Sequence, residues 1–427
     1  MDAFQEILEH IESLTIVDTH EHLPAHEKDR SEHCDVLSEW LTHYFSCDLV
    51  SAGLSERDLL MVRDPNGDLR DRWERVAPFW AAARSTGYGR SLALAARDVY
   101  DVPEINRDSI EELDRRFREA RREGDHYRFV LKEKSRIAVS ILDRQLQVDD
   151  EFFVPVVRLD SYIMPTHRRD VTAKEDLLGI RVHSLADWKR AMEMELERAV
   201  EKGIVGLKTG LAYKRSLCYE KVDAGTAEAA FNELFRNEFS PAGRGPIAVG
   251  LPLQNHMMHH MLALADERGL TVQVHTGIQE GVGNVITDSN PVLLTNLFLE
   301  YRNVTFDIFH MGYPYTMELS NLAKNFPNVC IDMCWGHIVS PEAARRALVE
   351  WLDAVPANKI SAFGGDYCFV DGVYGHQALA RRNVAASLAR KVEDGGFDTD
   401  RAREVATWLF VDNPVRIFGL GRKRRSS

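Results

Sequence analysis

Residues 271–310, TVQVHTGIQEGVGNVITDSNPVLLTNLFLEYRNVTFDIFH, contain the pattern that decides the fold. Two short runs rich in apolar and β-branched residues, 271–277 and 304–310, flank segment 291–303, whose apolar residues recur at helical spacing. A strand, a helix and a second strand in this order are typical of a parallel βαβ unit. The stretch therefore predicts a parallel sheet covered by helices.

The same alternation runs through most of the chain. It predicts eight strands, at 14–20, 136–142, 152–159, 204–210, 271–277, 304–310, 329–335 and 360–366. Amphipathic helices are predicted between or after the later strands, at 184–203, 291–303, 341–355 and 375–392. Eight such units close into an α/β fold of the (β/α)8 TIM-barrel type. We expect residues 1–427 to form this barrel as a single domain.

The connection between the first two predicted strands is much longer than an ordinary crossover. Residues 24–135 are helical and charged in pattern, most clearly at 108–134, and are predicted to be an insertion within the barrel. Because the insertion follows the carboxyl end of a strand, it emerges on the face where barrel enzymes build their active sites. It is expected to act as a lid or as a wall for the substrate.

Composition excludes several classes of function. A formal net charge of −13 is the opposite of what a dedicated nucleic-acid-binding surface needs, and no apolar run is long enough to span a membrane. The first 14 residues have helical spacing and lack both the basic start and the apolar core of a secretory signal. We expect a cytoplasmic protein that acts on a small molecule.

The residues at the strand ends indicate a metal site. In IVDTHEHL (16–23), His20 and His22 are two positions apart, so on a strand they leave the same face. The later predicted strands carry further side chains at or near their ends: Lys208, His275, His310 and Asp366. Imidazoles and carboxylates suit zinc and similar divalent ions. In one barrel, these strand ends would meet at its mouth.

This ordered set of residues resembles the amidohydrolase superfamily of metal-dependent (β/α)8 enzymes. Residues 275–333 are similar to amidohydrolase family 2, in particular to the amidohydrolase domain fused to glutamine-synthetase-like proteins. Two stretches of the insertion, EWLTHYFSCDLVSAG (39–53) and RWERVAPFW (72–80), instead resemble uronate isomerases. The two resemblances imply different reactions.

The superfamily resemblance implies a ligand set for one or two divalent ions, with zinc the expected metal. The residues that match are His20, His22, Lys208, His275, His310 and Asp366. Lys208 is expected to be a carbamate that bridges two metals, because an unmodified ammonium would repel them. The alternative is a free Lys208 that grips a substrate carboxylate. Asp366 is expected to shuttle the proton of the attacking water, so Asp366 and Lys208 are the predicted catalytic residues.

The predicted function is metal-dependent hydrolysis of an amide or related acyl bond, such as a lactone or ester, in a small carboxylate-bearing substrate, by a metal-activated hydroxide. The alternatives are a uronate-isomerase-like aldose/ketose isomerase of a sugar acid and a metal-dependent decarboxylase. Family members also suggest a homo-oligomer. The candidate substrate-binding residues are Arg158, Tyr213, Arg215, Tyr315, His337 and Tyr367.

Overall fold

A computed structural model describes residues 2–235 and 250–421. Its eight strands are all parallel and follow one another around the sheet in chain order. They are β1 (Ile16–Glu21), β2 (Ile137–Leu142), β3 (Phe153–Val157), β4 (Gly206–Thr209), β5 (Thr271–Val274), β6 (Phe306–Ile308), β7 (Val329–Asp332) and β8 (Ile360–Ser361). Each overlaps a predicted strand, and the TIM-type (β/α)8 fold is confirmed.

Residues just after β8 close the barrel against β1. The Thr19 amide donates to the Phe363 carbonyl at 3.0 Å, and the Asp366 amide donates to the His20 carbonyl at 2.8 Å. These bonds lie beyond the two residues that form regular strand β8. The segment that carries Asp366 is thus held directly on the strand that carries His20 and His22.

Helices cover the barrel and fill the long connection after β1. Those before β2 are α1 (Ala3–Ser13), α2 (Val36–Trp40), α3 (Phe45–Ser51), α4 (Glu56–Arg63), α5 (Leu69–Ala83), α6 (Gly87–Tyr100) and α7 (Ile110–Glu123). Those after β3 are α8 (Asp160–Ile163), α9 (Arg168–Leu178), α10 (Leu185–Glu201), α11 (Ala224–Glu233), α12 (Leu251–Arg268), α13 (Thr295–Glu300), α14 (Thr316–Asn325), α15 (Gly336–Val339), α16 (Pro341–Ala354), α17 (Val370–Glu393), α18 (Thr399–Thr407) and α19 (Asn413–Phe418).

Helix α10 illustrates how the sequence sets an outer helix. The Ser184 side chain accepts from the Asp187 amide and the Asp187 side chain accepts from the Ser184 amide, which forms a capping box at the first turn. Trp188, Met192 and Leu196 then follow at four-residue spacing and are all buried. This face packs inward while the opposite face remains polar.

One helical prediction was wrong in detail. Segment 291–303 is a short 3₁₀ turn, Pro291–Leu294, followed by the short helix α13 rather than one amphipathic helix. The stretch 108–134 is helical as predicted: α7 ends at Glu123, Gly124 follows with a positive φ of 73°, and a π-helical segment then begins at Arg128. The single domain 1–427 with its 24–135 insertion stays a prediction.

The helices of segment 24–135 are anchored on α17. Asp371 of α17 is fully buried and accepts hydrogen bonds from Trp40 Nε1 and Tyr100 OH, both at 2.9 Å. His126 Nε2 lies 2.8 Å from the other carboxylate oxygen. Along the same helix, a Cβ atom added at Gly375 would lie 2.0 Å from the Ser91 carbonyl oxygen of α6. The two helices therefore approach with no room for a side chain.

This contact gives a stability prediction. Gly375→Ala is expected to lower the free energy of unfolding by about 1–3 kcal/mol, because one methyl group forces apart two packed backbones. Thermal or urea unfolding measures the change, with Ala378→Ser on the half-buried side of the same helix as the control. An unchanged midpoint for Gly375→Ala would contradict the close packing of α6 on α17.

No helix in residues 2–235 and 250–421 is both long enough and apolar enough to cross a bilayer.

Candidate metal centre

The carboxylate of Asp366 lies among three of the predicted ligands. Asp366 Oδ1 is 3.1 Å from His22 Nε2 and 3.6 Å from His20 Nε2, while Oδ2 is 3.8 Å from His310 Nε2. Burial alone would raise the pKa of Asp366, but the hydrogen bond from His22 and the neighbouring imidazoles hold it well below the usual range. An ionised carboxylate at the mouth of the barrel therefore faces nitrogens from β1 and the end of β6.

The hydrogen bonds of His20 define which of its nitrogens faces this carboxylate. Gln273 Nε2 donates to the Thr19 carbonyl at 2.9 Å, so Gln273 Oε1, 3.2 Å from His20 Nδ1, accepts the proton on that nitrogen. His20 Nε2 then carries a lone pair. It is buried and has no hydrogen-bond partner among the described residues. A buried lone pair without a donor is what a cation ligand requires.

The hydrogen bonds of His275 and His310 also leave one nitrogen of each ring with a lone pair. His275 Nε2 is 2.9 Å from the Ile278 carbonyl, and His310 Nδ1 is 3.1 Å from the Cys334 carbonyl. Because a carbonyl oxygen only accepts, both of these nitrogens carry the proton. His275 Nδ1 and His310 Nε2 then face each other with lone pairs, 2.9 Å apart. A cation bound to both would remove that repulsion.

Burial keeps these imidazoles in the neutral form that a metal requires. It lowers the pKa of His310 to about 3 and holds the pKa values of His20 and His275 well below the usual range. Potential ligand atoms of His20, His22 and Asp366 lie within 4.8 Å of one another, and those of His310, Cys334 and Asp366 do the same. The residues fit a divalent ion, and Asp366 belongs to both groups.

Lys208 lies in the same interior on β4. Its side chain is 1% exposed, and Nζ is 3.7 Å from the centre of the Phe309 ring. Among the described residues, Nζ has no hydrogen bond or ion pair. Burial, assisted by the positive charge of Arg158, lowers the pKa of Lys208 to about 8. The neutral amine of Lys208 is therefore more accessible near neutral pH than that of an exposed lysine.

This shift gives a pH prediction for the metal-free protein. Lys208 is protonated in the unfolded chain up to about pH 10.5 but loses its proton near pH 8 when folded. Between these two pH values the unfolded state binds more protons, so the free energy of unfolding rises with pH there, by about 3 kcal/mol in total. Below pH 8 the destabilisation caused by burying a protonated Lys208 is complete. Lys208→Met should lack this contribution to the pH dependence of stability. Urea unfolding of both proteins in CO2-free buffer measures it, and parallel profiles would contradict the shift.

Two residues that the sequence analysis missed contact the candidate ligands. Asp143, one residue beyond β2, has Oδ2 3.6 Å from His22 Nδ1 and 3.8 Å from His20 Nε2. Tyr44, from the long segment after β1, places its hydroxyl 2.6 Å from Asp366 Oδ2. The Tyr44 ring stacks on Trp335 with centroids 4.5 Å apart. Tyr44 is buried, so it forms a packed wall of the site.

A cavity of about 1070 Å³ opens over these side chains. Of the candidate substrate-binding residues, Arg158, Tyr213 and Arg215 line it. Arg158 is paired with Asp143, and the Arg215 guanidinium already donates to Gln254 and Asn255 at 3.0 and 2.8 Å. The Tyr213 ring lies beside the His275 ring, with centroids 4.5 Å apart and planes tilted by 54°, and its hydroxyl accepts from the Glu280 amide. Of the three, Tyr213 therefore has the side chain that is least occupied by hydrogen bonds to other side chains.

The other three candidates do not border that cavity. His337 is fully buried, with Nε2 2.9 Å from the Ala362 carbonyl. Tyr367 is buried against Tyr44, and Tyr315 precedes α14. Their assignment to substrate binding stays a prediction, and a position just past a strand does not by itself fix the direction of the side chain.

Comparison with known proteins identifies the family. The family model described as "Amidohydrolase" matches residues 17–420, almost the whole chain and all eight strands except the first residue of β1. The chain belongs to the amidohydrolase family. The family resemblance predicted from the sequence is confirmed.

Individual relatives of this chain are distant. Protein fluG of Emericella nidulans is 26% identical over 239 residues, which are 53% of this chain and 27% of fluG. A uronate isomerase from Thermotoga maritima has a TM-score of 0.81 at 16% identity, covering 97% of each chain. A glucuronate isomerase from Caulobacter crescentus has a TM-score of 0.80 at 18% identity, covering 99% of this chain and 95% of its own. The curated relatives are matched over less than two thirds of their own length.

Proposed function

We propose that this amidohydrolase is a metal-dependent hydrolase that cleaves an amide or related acyl bond in a small carboxylate-bearing substrate. The observation that carries the proposal is the position of Asp366, whose ionised carboxylate belongs to two adjacent groups of potential ligands. One group lies at the end of β1 and the other beside β6 and β7. Such a shared carboxylate suits a site for one or two ions.

The residues that would hold zinc are His20, His22, Lys208, His275, His310 and Asp366. When bound, a divalent cation would lower the pKa of a coordinated water and polarise the acyl carbonyl. Within this chain, Asp366 is the group placed to accept a proton from water and return it to the leaving group. Gln273 orients His20 so that its Nε2 can bind the metal.

Lys208 would complete the site as a carbamate. Its neutral amine attacks CO2, an N–C bond forms, and one amine proton is released to solvent. The product is an anion with two oxygens that replaces a cationic side chain. The lowered pKa of Lys208 supports this step, because only the neutral amine is nucleophilic.

Isomerisation of a sugar acid is the second candidate, and Tyr44 favours it. An aldose/ketose interconversion moves one proton between adjacent carbons and another between their oxygens, so a second proton-transfer group can assist, and the Tyr44 hydroxyl lies 2.6 Å from Asp366. The full-length likeness to uronate isomerases, a likeness of fold, is compatible with this reaction. A single bound ion would suit it.

We further propose a cytoplasmic protein that acts on small molecules rather than on nucleic acid or membranes, in keeping with its net charge of −13. Assembly into a homo-oligomer stays a prediction.

A substrate screen on zinc-loaded protein tests the function. The panel contains N-acyl amino acids, γ-glutamyl amides, lactones and uronates, and products are separated from substrates by chromatography and followed by mass spectrometry. Hydrolysis adds one water and yields two fragments or an opened ring, whereas isomerisation leaves the mass unchanged and decarboxylation removes CO2. Turnover of uronates alone would overturn the hydrolase proposal in favour of the isomerase.

A further inference from the structure

Glu21 lies between the two histidines of β1 and points away from them. Side chains alternate along a strand, so His20 and His22 share one face and Glu21 occupies the other. Glu21 is fully buried. Its Oε2 accepts a hydrogen bond from the Tyr367 amide at 2.8 Å. A buried carboxyl group thus contacts the backbone directly after Asp366.

The loop around Asp366 depends on such contacts. Asp366 has a φ of 58°, in the left-handed region that non-glycine residues occupy only when their surroundings impose it. Its own amide bonds to the His20 carbonyl, and the preceding Gly365 amide donates to Asp18 Oδ1 at 3.0 Å. With Glu21 on the Tyr367 amide, three consecutive amides are held by β1.

Gly365 permits this arrangement. A Cβ atom added there would lie 1.8 Å from Glu21 Oε1, and its three nearest neighbours would all be atoms of Glu21. Glu21 and Gly365 are therefore in close contact, and either a larger residue at 365 or a shorter one at 21 would disturb the same point of the loop.

We propose that Glu21 is a positioning residue for Asp366. By holding the Tyr367 amide from the far face of β1, it fixes the carboxylate of Asp366 at the distance from His20 and His22 that a cation needs. The inference rests on the proposed function in one respect, namely that Asp366 is a metal ligand. It requires no particular substrate or reaction.

Zinc affinity, measured by competition with a chromophoric chelator, tests the inference. Glu21→Leu is expected to weaken zinc binding by about 10–100-fold, as the loss of a partner that orients a ligand does in other metal sites. Glu21→Gln keeps an acceptor oxygen for the Tyr367 amide and should stay within about threefold of the parent protein. A merely structural role for Glu21 would change the unfolding midpoint without this difference in affinity.

The same substitutions in an Asp366→Asn background complete the test. Once the carboxylate is absent, Glu21→Leu should change zinc affinity by less than about twofold, because there is no ligand left to position. An equal loss in both backgrounds, or no loss in the parent, would overturn the inference. If Asp366→Asn itself leaves zinc affinity unchanged, the proposed metal site fails instead, and the two failures are thus distinguished.

Gly365→Ala provides a second variant if Glu21→Leu does not fold. It should weaken zinc binding in the parent protein, where the new methyl group meets Glu21 Oε1, and should have a smaller effect on top of Glu21→Ala, where that oxygen is gone. Equal effects in the two backgrounds would contradict the contact.

Discussion

Asp366→Asn is expected to lower turnover by about 100- to 10,000-fold, the range associated with loss of a general acid–base group. Asparagine has nearly the same shape, and its carbonyl oxygen can still accept from Tyr44. It lacks the negative charge and the second acceptor oxygen that face His20, His22 and His310. Steady-state kinetics on a substrate found in the screen, together with metal analysis, measure the loss.

Asp288→Asn is the matched control for Asp366→Asn. Asp288 lines the same cavity but forms no ion pair with a histidine among the described residues. It should retain turnover within about threefold, because its carboxylate forms no ion pair with a candidate ligand. Equal losses in the two variants would show that the charge of the cavity, and not the position of Asp366, governs activity.

Lys208→Ala is expected to reduce bound zinc from two equivalents to one and to lower turnover by at least about 100-fold, the upper end of what even indirect metal partners cost. The reason is that the variant cannot form the anionic carbamate. Adding a short carboxylate such as acetate should restore part of the activity, because it can occupy the space that the side chain leaves and supply two oxygens. Mass spectrometry of the intact parent protein should show the added CO2.

Lys208→Met is the control, since it fills that space with an apolar chain that acetate cannot replace. If either variant raises KM while kcat and zinc content stay unchanged, Lys208 binds the substrate carboxylate as a free ammonium. That outcome would remove the carbamate from the account and favour a single ion.

The periodic parts of the fold were readable from sequence. The eight strands could be predicted because buried parallel strands are short apolar runs between helices, and their order around the barrel follows from right-handed crossovers. His275 and Asp366 could be selected because the carboxyl ends of strands meet at the mouth of such a barrel. The strand predictions and the choice of these two residues both depend on a local sequence pattern together with a general rule of topology.

Contacts made by irregular segments could not be read in this way. Asp143 was missed because it lies one residue beyond the predicted end of its strand, where strand boundaries are least certain. Tyr44 reaches Asp366 across 322 positions of sequence, and no periodicity specifies such a contact. His337 is fully buried just after Trp335, whose φ is 61°, and a position beyond a strand end does not specify that burial.

Anomalous diffraction at the zinc edge, from crystals of the zinc-loaded protein, would locate the bound ions. We expect a peak about 2.0–2.2 Å from His20 Nε2, His22 Nε2 and an oxygen of Asp366. A second peak between His275 and His310 would accompany a carbamate on Lys208. A protein that takes up zinc with no peak touching His20, His22 and Asp366 would contradict the account.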